Sequence, residues 1–460
     1  MIEGDKMKKA ILIIPALFML VFLPAMAQDD VSAGTGIIWN GSLLTNDCIR
    51  LKSDQKFSWQ EYRWTTKAEV KPSSKAHFYG ELWVRSWGVS NASTSADLLN
   101  KDKVAPYNID VREAYVDIYG FLLDNLDIRA GKQRIAWGTA DKLNPTDNLN
   151  PKDLEDIWDF GRHLGSSGFK ASYYMGDYTL TAVYIPIFTP ATLPRGDWAS
   201  VLSPAMSLPS GMSLHETSDI LVLPENTPQG GSTSGIKLSK SLLGYDLSIS
   251  YLDGRDDLPV IKKVTITPVN AYGEVDVAVE EMYSRRRVLG ADLAGTLAKV
   301  GVWGEMAVYF PDKVTMITDL SAFGMGTVEM IAIDDQPYVK GVIGADYTFK
   351  NGIYINSQYL HGFIHERGKE NLEDYLMLAV DRKFLDEKLK VRPINGGIEV
   401  KDTKDIKNNF AIIFMPELSY QPVDNATITL GLRIFDGKTT TTFGKVKNNN
   451  EACVKLEYSF

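Results

Sequence analysis

The chain of 460 residues is 44% hydrophobic and 23% charged, with a formal net charge of −9 at pH 7. That acidic balance argues against a nucleic-acid binder, and beyond residue 27 no stretch is apolar for the roughly twenty residues a spanning helix needs. The composition leaves a water-soluble protein or a membrane barrel, in which lumen-facing residues dilute the lipid-facing ones.

Lys6, Lys8 and Lys9 precede an apolar run over 10–23, and Pro24-Ala25-Met26-Ala27 supplies an Ala-x-Ala site before Gln28. A basic segment, an apolar segment and a small-residue site in that order predict a secretory signal peptide over 1–27. Residues 28–460 then form a single domain in an oxidising compartment, where Cys48 and Cys453 are permitted a disulfide.

Beyond the leader the chain reads as strand, short turn, strand, long polar loop. Strands are predicted near 38–48, 57–70, 75–88, 108–119, 124–136, 166–175, 178–187, 234–243 and 245–253. They continue near 283–297, 299–310, 338–349, 352–364, 374–383, 388–400, 410–421, 425–435 and 451–460. The fold class is all-β: a transmembrane antiparallel up-and-down barrel of about eighteen strands, within a range of roughly 14–18. Short turns at Lys71-Pro72-Ser73, Gly120, Gly176-Asp177, Gly244, Ala298, Lys350-Asn351-Gly352, Leu385-Asp386-Glu387 and Pro422-Val423-Asp424 alternate with the longer connections. Short periplasmic turns against long extracellular loops are the barrel pattern. Tyr119, Phe121, Tyr245, Phe349, Phe384, Tyr420 and Phe460 fall at the short-turn end. Trp87, Tyr107, Trp137, Tyr251, Tyr283, Phe310, Tyr338, Phe363, Phe410 and Phe435 fall beside the long loops, which predicts two interfacial aromatic girdles.

Within each strand, alternate side chains take opposite faces. Tyr62, Trp64, Ala68, Val70, Phe78, Leu82 and Val84 are assigned to lipid, which turns Glu61, Arg63, His77, Tyr79, Glu81 and Arg85 inward. Later strands add Glu113, Asp117, Asp127, Arg129, Gln133, Glu305, Asp346, Asn356, Gln358, Lys390, Arg392, Glu417 and Arg433 to the inner face. Charges of both signs on adjoining strands suit a hydrated lumen with a transverse field, or a lumen stiffened by salt bridges and closed by loops. No single-sign ring emerges, so ion preference is not readable.

The last strand places Ala452, Val454, Leu456, Tyr458 and Phe460 on one face. Leu456, Tyr458 and the terminal Phe460 look like the C-terminal signal through which barrel assembly machinery handles outer-membrane barrels. Because an open sheet edge is not tolerated in hydrocarbon, the first strand must pair with the last. Cys48 and Cys453 are then both lumen-facing near the outer end of the seam. They can form a disulfide if their Cα atoms come within about 7 Å, the alternative being two free thiols.

Two loops exceed the length of simple connectors, 137–165 and 188–233, and both are expected to fold inward as constrictions. Asn150 as N-cap and Pro151 in the first turn predict a short helix over 153–160. The segment from Gly131-Lys132-Gln133 to Trp137-Gly138 leads into Asn144-Pro145-Thr146-Asp147 and Asn150-Pro151-Lys152-Asp153. Together with Phe384-Leu385-Asp386, Pro416-Glu417-Leu418-Ser419-Tyr420, Asp424 and Thr429-Leu430-Gly431, it resembles a family of Gram-negative outer-membrane porin-like proteins of unknown function. The resemblance spans most of the chain after the leader. It implies a large barrel in the broad neighbourhood of porins and alginate-export-type channels, with no catalytic residues and no established substrate. The repeated Asn-Pro-x-Asp element reads as loop architecture.

His361 and His365, beside Glu366, have a spacing that suits two ligands on a helix, but a strand end and Gly362 spoil it, so a surface pair without metal is expected. Asp141, Asp147, Asp153, Glu155 and Asp156 do not fit the spacing of a Ca²⁺ loop. No phosphate loop, triad or zinc motif is present in the sequence, and neither cofactor nor metal is expected. The expectation is a porin-like channel of the bacterial outer membrane for passive or substrate-preferring diffusion of an unidentified small polar solute. Its other partners would be outer-membrane lipids and lipopolysaccharide, and a homo-oligomer stays open. The alternatives are a plugged, non-conducting surface barrel acting as adhesin or scaffold, and an outer-membrane hydrolase.

Overall fold

The computed structural model describes residues 36–52, 55–202, 208 and 211–460. The predicted leader over 1–27 lies outside the described residues, as does part of the loop at 188–233. The strands in chain order are β1 (Ile38–Arg50), β2 (Phe57–Ser73), β3 (Ala76–Ser86), β4 (Tyr107–Ile118), β5 (Leu126–Gln133), β6 (Ser166–Met175), β7 (Tyr178–Ile185) and β8 (Ser213–Val222). Next come β9 (Thr233–Leu242), β10 (Tyr245–Arg255), β11 (Val260–Pro268), β12 (Glu274–Met282), β13 (Arg285–Leu297), β14 (Val300–Pro311), β15 (Val314–Asp319) and β16 (Thr327–Ile333). The last eight are β17 (Tyr338–Thr348), β18 (Ile353–His361), β19 (Asp374–Phe384), β20 (Leu389–Val400), β21 (Phe410–Phe414), β22 (Glu417–Val423), β23 (Ala426–Gly437) and β24 (Glu451–Ser459).

Nineteen of these segments form one sheet, and β1 pairs with both β2 and β24, which closes it. Both β21 and β22 pair with β20 on one side and β23 on the other, so they are two halves of one strand and the wall has eighteen. They part at Met415-Pro416, where proline has no N–H to give the ladder. The register against β20 slips by one residue there, from Gly396↔Phe414 to Arg392↔Glu417. Every wall pair is antiparallel, and all eighteen predicted strands have a counterpart in the wall.

Closure follows from the solvent. An unpaired backbone group in hydrocarbon costs several kcal/mol, so the first and last strands have to find each other. The alternation of side chains does the rest. In β2, Tyr62 and Trp64 are 41% and 49% exposed on the outer surface, while Glu61 and Thr65 are 3% and 7% exposed inside. The aromatics of the short-turn end, among them Tyr119, Phe121, Phe349, Phe384, Tyr420 and Phe460, are exposed outward. The opposite girdle needs correction. Trp137, Tyr283, Tyr338, Phe363 and Phe435 are buried rather than turned to lipid, because the loops beside them fold inward and pack on them.

Five strands leave the wall. In the order β16-β15-β11-β12-β8 they make a second sheet on the long-loop side, with Val264, Ile266, Val275, Val277 and Val279 packed on Met212, Met316, Leu320 and Phe323. Alternating valines at 275, 277 and 279 are a strand signal inside what reads as polar loop. The predicted inward fold of 188–233 therefore does not extend to β8, which pairs in parallel with β12 instead. The predicted helix over 153–160 is also absent. Asp153 N–H donates to Arg162 O and Leu154 N–H to Thr192 O, so the first backbone donors are spent across the loop instead of along a helix.

Candidate functional site

Inside the barrel, the loop 134–165 is fastened to the wall by the residues of its own motif. Glu305 on β14 is a buried acceptor for Thr139 N–H at 2.5 Å, Ala140 N–H at 2.6 Å, Asn144 Nδ2 at 2.7 Å and Thr146 Oγ1 at 2.8 Å. Gly138 makes that approach available. Its φ is +91°, and a Cβ there would stand 2.5 Å from Glu305 Oε1. Gly131, with φ +129°, lies against β4 where a Cβ would meet Ala114 O at 2.3 Å. Asn150 accepts from Ile135 N–H at 2.6 Å and donates to Gln133 O and Ser166 Oγ, each at 3.0 Å. Asp147 is ion-paired with Arg134. Both Asn-Pro-x-Asp segments thus act as clips between loop and wall.

Asp153 is the most heavily used carboxylate of the loop. It sits 2.8 Å from Arg112 Nη1 on β4 and 3.0 Å from Arg162 Nε, and Thr192 Oγ1 donates to it at 2.8 Å. Burial pushes its pKa up, but Arg162 and Arg112 outweigh this and hold the carboxyl at about 2. Glu155 takes Arg85 at 2.6 Å and Arg195 at 3.3 Å, and Lys152 takes Asp257 at 2.8 Å. The acidic residues weighed as a Ca²⁺ site are in large part spoken for by arginines.

Over these clips lies an apolar layer. Ile157, Trp158, Trp198, Val201, Phe443 and Val446 come from three loops and pack on wall residues Val342, Leu360, Tyr375, Ile413 and Phe435. Trp158 meets Trp198 edge-on at 4.9 Å between centroids and Phe435 at 4.6 Å. The loop 438–450 is held in turn by Glu399 on β20, which accepts from Thr442 and Phe443 N–H at 2.5 and 2.8 Å. Neither the third loop nor Arg112 stood out in the sequence. The signal was there in Trp158, Phe160, Trp198 and Phe443, aromatics in polar loops with no lipid to face.

Below this layer is a cavity of about 590 Å³, lined among others by Glu61, Arg63, Arg392, Glu417 and Arg433 of the predicted lumen set. Other predicted residues lie apart from it. Glu305 and Arg85 hold the loop, Lys390 pairs with Asp381 at 3.3 Å, and Asp346 accepts from Tyr354 Oη at 2.9 Å. Arg129 binds Asp117 at 2.6 Å, Asp127 accepts from Gly120 N–H at 3.0 Å, and Glu81 accepts from Tyr79 Oη and Trp83 Nε1.

At the seam, Cys48 faces Cys453 in register with a Cα separation of 4.1 Å, and the two are joined as a disulfide. Phe460 closes the same seam through reciprocal backbone hydrogen bonds with Gly41 at 2.9 and 3.0 Å, and Leu456, Tyr458 and Phe460 are exposed outward. His361 and His365 do not make the expected surface pair. His361 binds Asp374 at 2.8 Å, whereas His365 turns inward with Nδ1 enclosed and unpartnered. Burial, with Lys340 beside it, lowers His365 to about 3, and burial also lowers His163.

No protein-family model matches the chain, and no curated protein matches it. Solved structures similar to it include Salmonella typhi OmpF in complex with daunomycin, 11% identical with a TM-score of 0.41, over 93% of this chain and 98% of that one. OmpT, an outer membrane protein of Vibrio cholerae folded in vitro, is 10% identical with a TM-score of 0.42, over 94% and 100% of the two chains. A mutant of Rh. blastica porin is 10% identical with a TM-score of 0.40, over 92% and 100%. The fold assignment itself rests on the closed antiparallel pairing of the eighteen wall strands.

Proposed function

We propose that the protein is an outer-membrane channel for passive diffusion of small polar solutes, narrowed at its extracellular half by its own loops. The observation that carries this reading is the charged, two-signed lumen face opening on a 590 Å³ cavity beneath the loop 134–165. Ionised side chains of both signs around an open volume suit a water-filled passage, in which water or a solute meets each charge. The apolar outer face suits lipid and lipopolysaccharide, and the outward stripe of Leu456, Tyr458 and Phe460 suits recognition by barrel assembly machinery. With this orientation the short turns are periplasmic and the second sheet is extracellular.

The apolar layer around Trp158 favours a second reading, a barrel plugged in its resting state that serves as a surface scaffold. Planar-bilayer recording separates the two. Wild type is expected to conduct in small steps and Glu305→Ala in larger ones, since that change removes the acceptor holding 139–146 to the wall. Silence from both proteins would sink the channel reading and leave the scaffold.

A further inference from the structure

The cavity is built for more than an unspecified polar solute. Three of its four arginines are gripped from behind by one acid and reach only loosely toward another. Arg433 is 2.7 Å from buried Glu451 but 3.9 Å from Asp156, and Arg392 is 2.9 Å from Asp381 but 3.5 Å from Glu417. Arg162 is likewise 3.0 Å from Asp153 and 3.8 Å from Asp159. Asp156, Glu417, Asp159 and the three arginines all line the cavity. Cation and anion thus stand side by side on its surface, the arginines fixed from behind and each incompletely paired with the acid in front. The same space is bordered by Leu143, Phe160, Met377 and Met415, which offer an apolar surface to whatever the charges orient.

We infer that this cavity is a selectivity site for an amphiphilic zwitterion, of the class of an α-amino acid with a large apolar side chain. The inference rests on the channel reading and names the solute class for it. The ligand ammonium goes to a front acid such as Glu417, and the carboxylate goes to the arginine donors. The side chain lies against the methionines and Phe160. A simple anion or cation satisfies one sign and leaves the other loosely paired, and glycine leaves the apolar wall to water. A cavity of about 590 Å³ lies within the ordinary range of small-molecule sites.

Gly431 supplies a way to fill the space. It lines the cavity, and a Cβ there meets only Glu417 Cγ and Pro416 O, both at an ordinary 3.8 Å, so a side chain is accepted by the wall and projects inward. The test is calorimetric titration of the full-length chain in detergent with phenylalanine, 3-phenylpropanoate, phenethylamine and glycine at pH 7, beside bilayer recording of the same sample. Phenylalanine is expected to bind roughly fivefold tighter or more than each of the other three, the worth of one added charge-assisted or apolar contact. Gly431→Leu should abolish that binding with unchanged heat-modifiable mobility on a gel, and Glu417→Gln should bring phenylalanine down to the level of 3-phenylpropanoate. Equal affinities across the four probes, tighter binding of a single-charge probe, or binding that survives Gly431→Leu would each overturn the inference. Binding without conductance would overturn the channel reading alone, and conductance without binding would overturn the zwitterion site alone.

Discussion

In the half of the lumen nearer the long loops, Asp153 lies 2.8 Å from Arg112, Glu155 2.6 Å from Arg85 and Lys152 2.8 Å from Asp257, all beneath packed aromatics. In the half beyond the loop 134–165, Arg392 and Glu417 stand 3.5 Å apart, and Arg433 and Asp156 3.9 Å, around open space. Both halves draw on the same residue types. The difference is what surrounds them. A dry layer makes every unpaired charge expensive, so the pairs there close to contact and act as clips. Around the cavity each of these arginines keeps one close acid behind it, Arg392 2.9 Å from Asp381 and Arg433 2.7 Å from Glu451, and only its second, front pairing stays long, where the field is screened. One set of ions holds the loops in, and the other borders open space.

That contrast can be broken most forcefully at Trp158. Trp158→Ala removes the ring shared by Trp198, Phe435 and Phe443 and should weaken loop docking by about 4 kcal/mol, as for a buried tryptophan. Tryptic cleavage at Lys142 and Arg162 would report it, along with a larger unit conductance. Asp153→Asn keeps the shape and removes the charge, leaving Arg112 to Asp110 alone and Arg162 without its closest acid. The expected loss is about 3 kcal/mol, read by the same proteolysis.

Acid acts on the same half. His365 and His163 are lowered by burial, so each of these two rings binds fewer protons with the loops docked than with them free. Their contribution to docking is complete above about pH 6.5, the ordinary value, and is lost as pH falls toward about 3 for His365. Open-channel probability should rise over that interval, and His365→Phe should flatten the rise. A flat profile in the wild type would show that these rings are reached by water. The smallest effect is expected at Arg392→Gln in the hydrated half. Stability should change by less than about 1 kcal/mol, because Lys390 at 3.3 Å still compensates the buried Asp381. The reversal potential in a salt gradient should nonetheless shift toward cations. If Arg392→Gln instead loosened the loops, the two halves would not be separable.

The wall was readable because lipid imposes a local rule. Period-two alternation, short turns at Gly176 and Gly244 and a closing strand ending on Phe460 are all features of neighbouring residues. The inward face of Glu61 and Arg63 followed from the outward face of Tyr62 and Trp64 by parity alone. Parity fails beyond the strand ends. Phe363 and Phe435 have the composition of a girdle yet sit in the buried apolar layer, and the helix expected after Asn150 lost its donors to Arg162 and Thr192. The second sheet shows its alternation at Val275, Val277 and Val279, but only pairing across loops makes it a sheet.

What the sequence determined by itself was the barrel: strand number, seam, the alternation of faces along regular strands, and the nearness of Cys48 to Cys453. Each of these is dictated by alternation and by the cost of an unpaired backbone in hydrocarbon. Which charges clip a loop and which border the cavity was decided only in three dimensions. Arg85 meets Glu155 70 positions away, and Thr139 meets Glu305 166 positions away. No local period encodes such distances, and the dielectric around each pair exists only once the loops have packed.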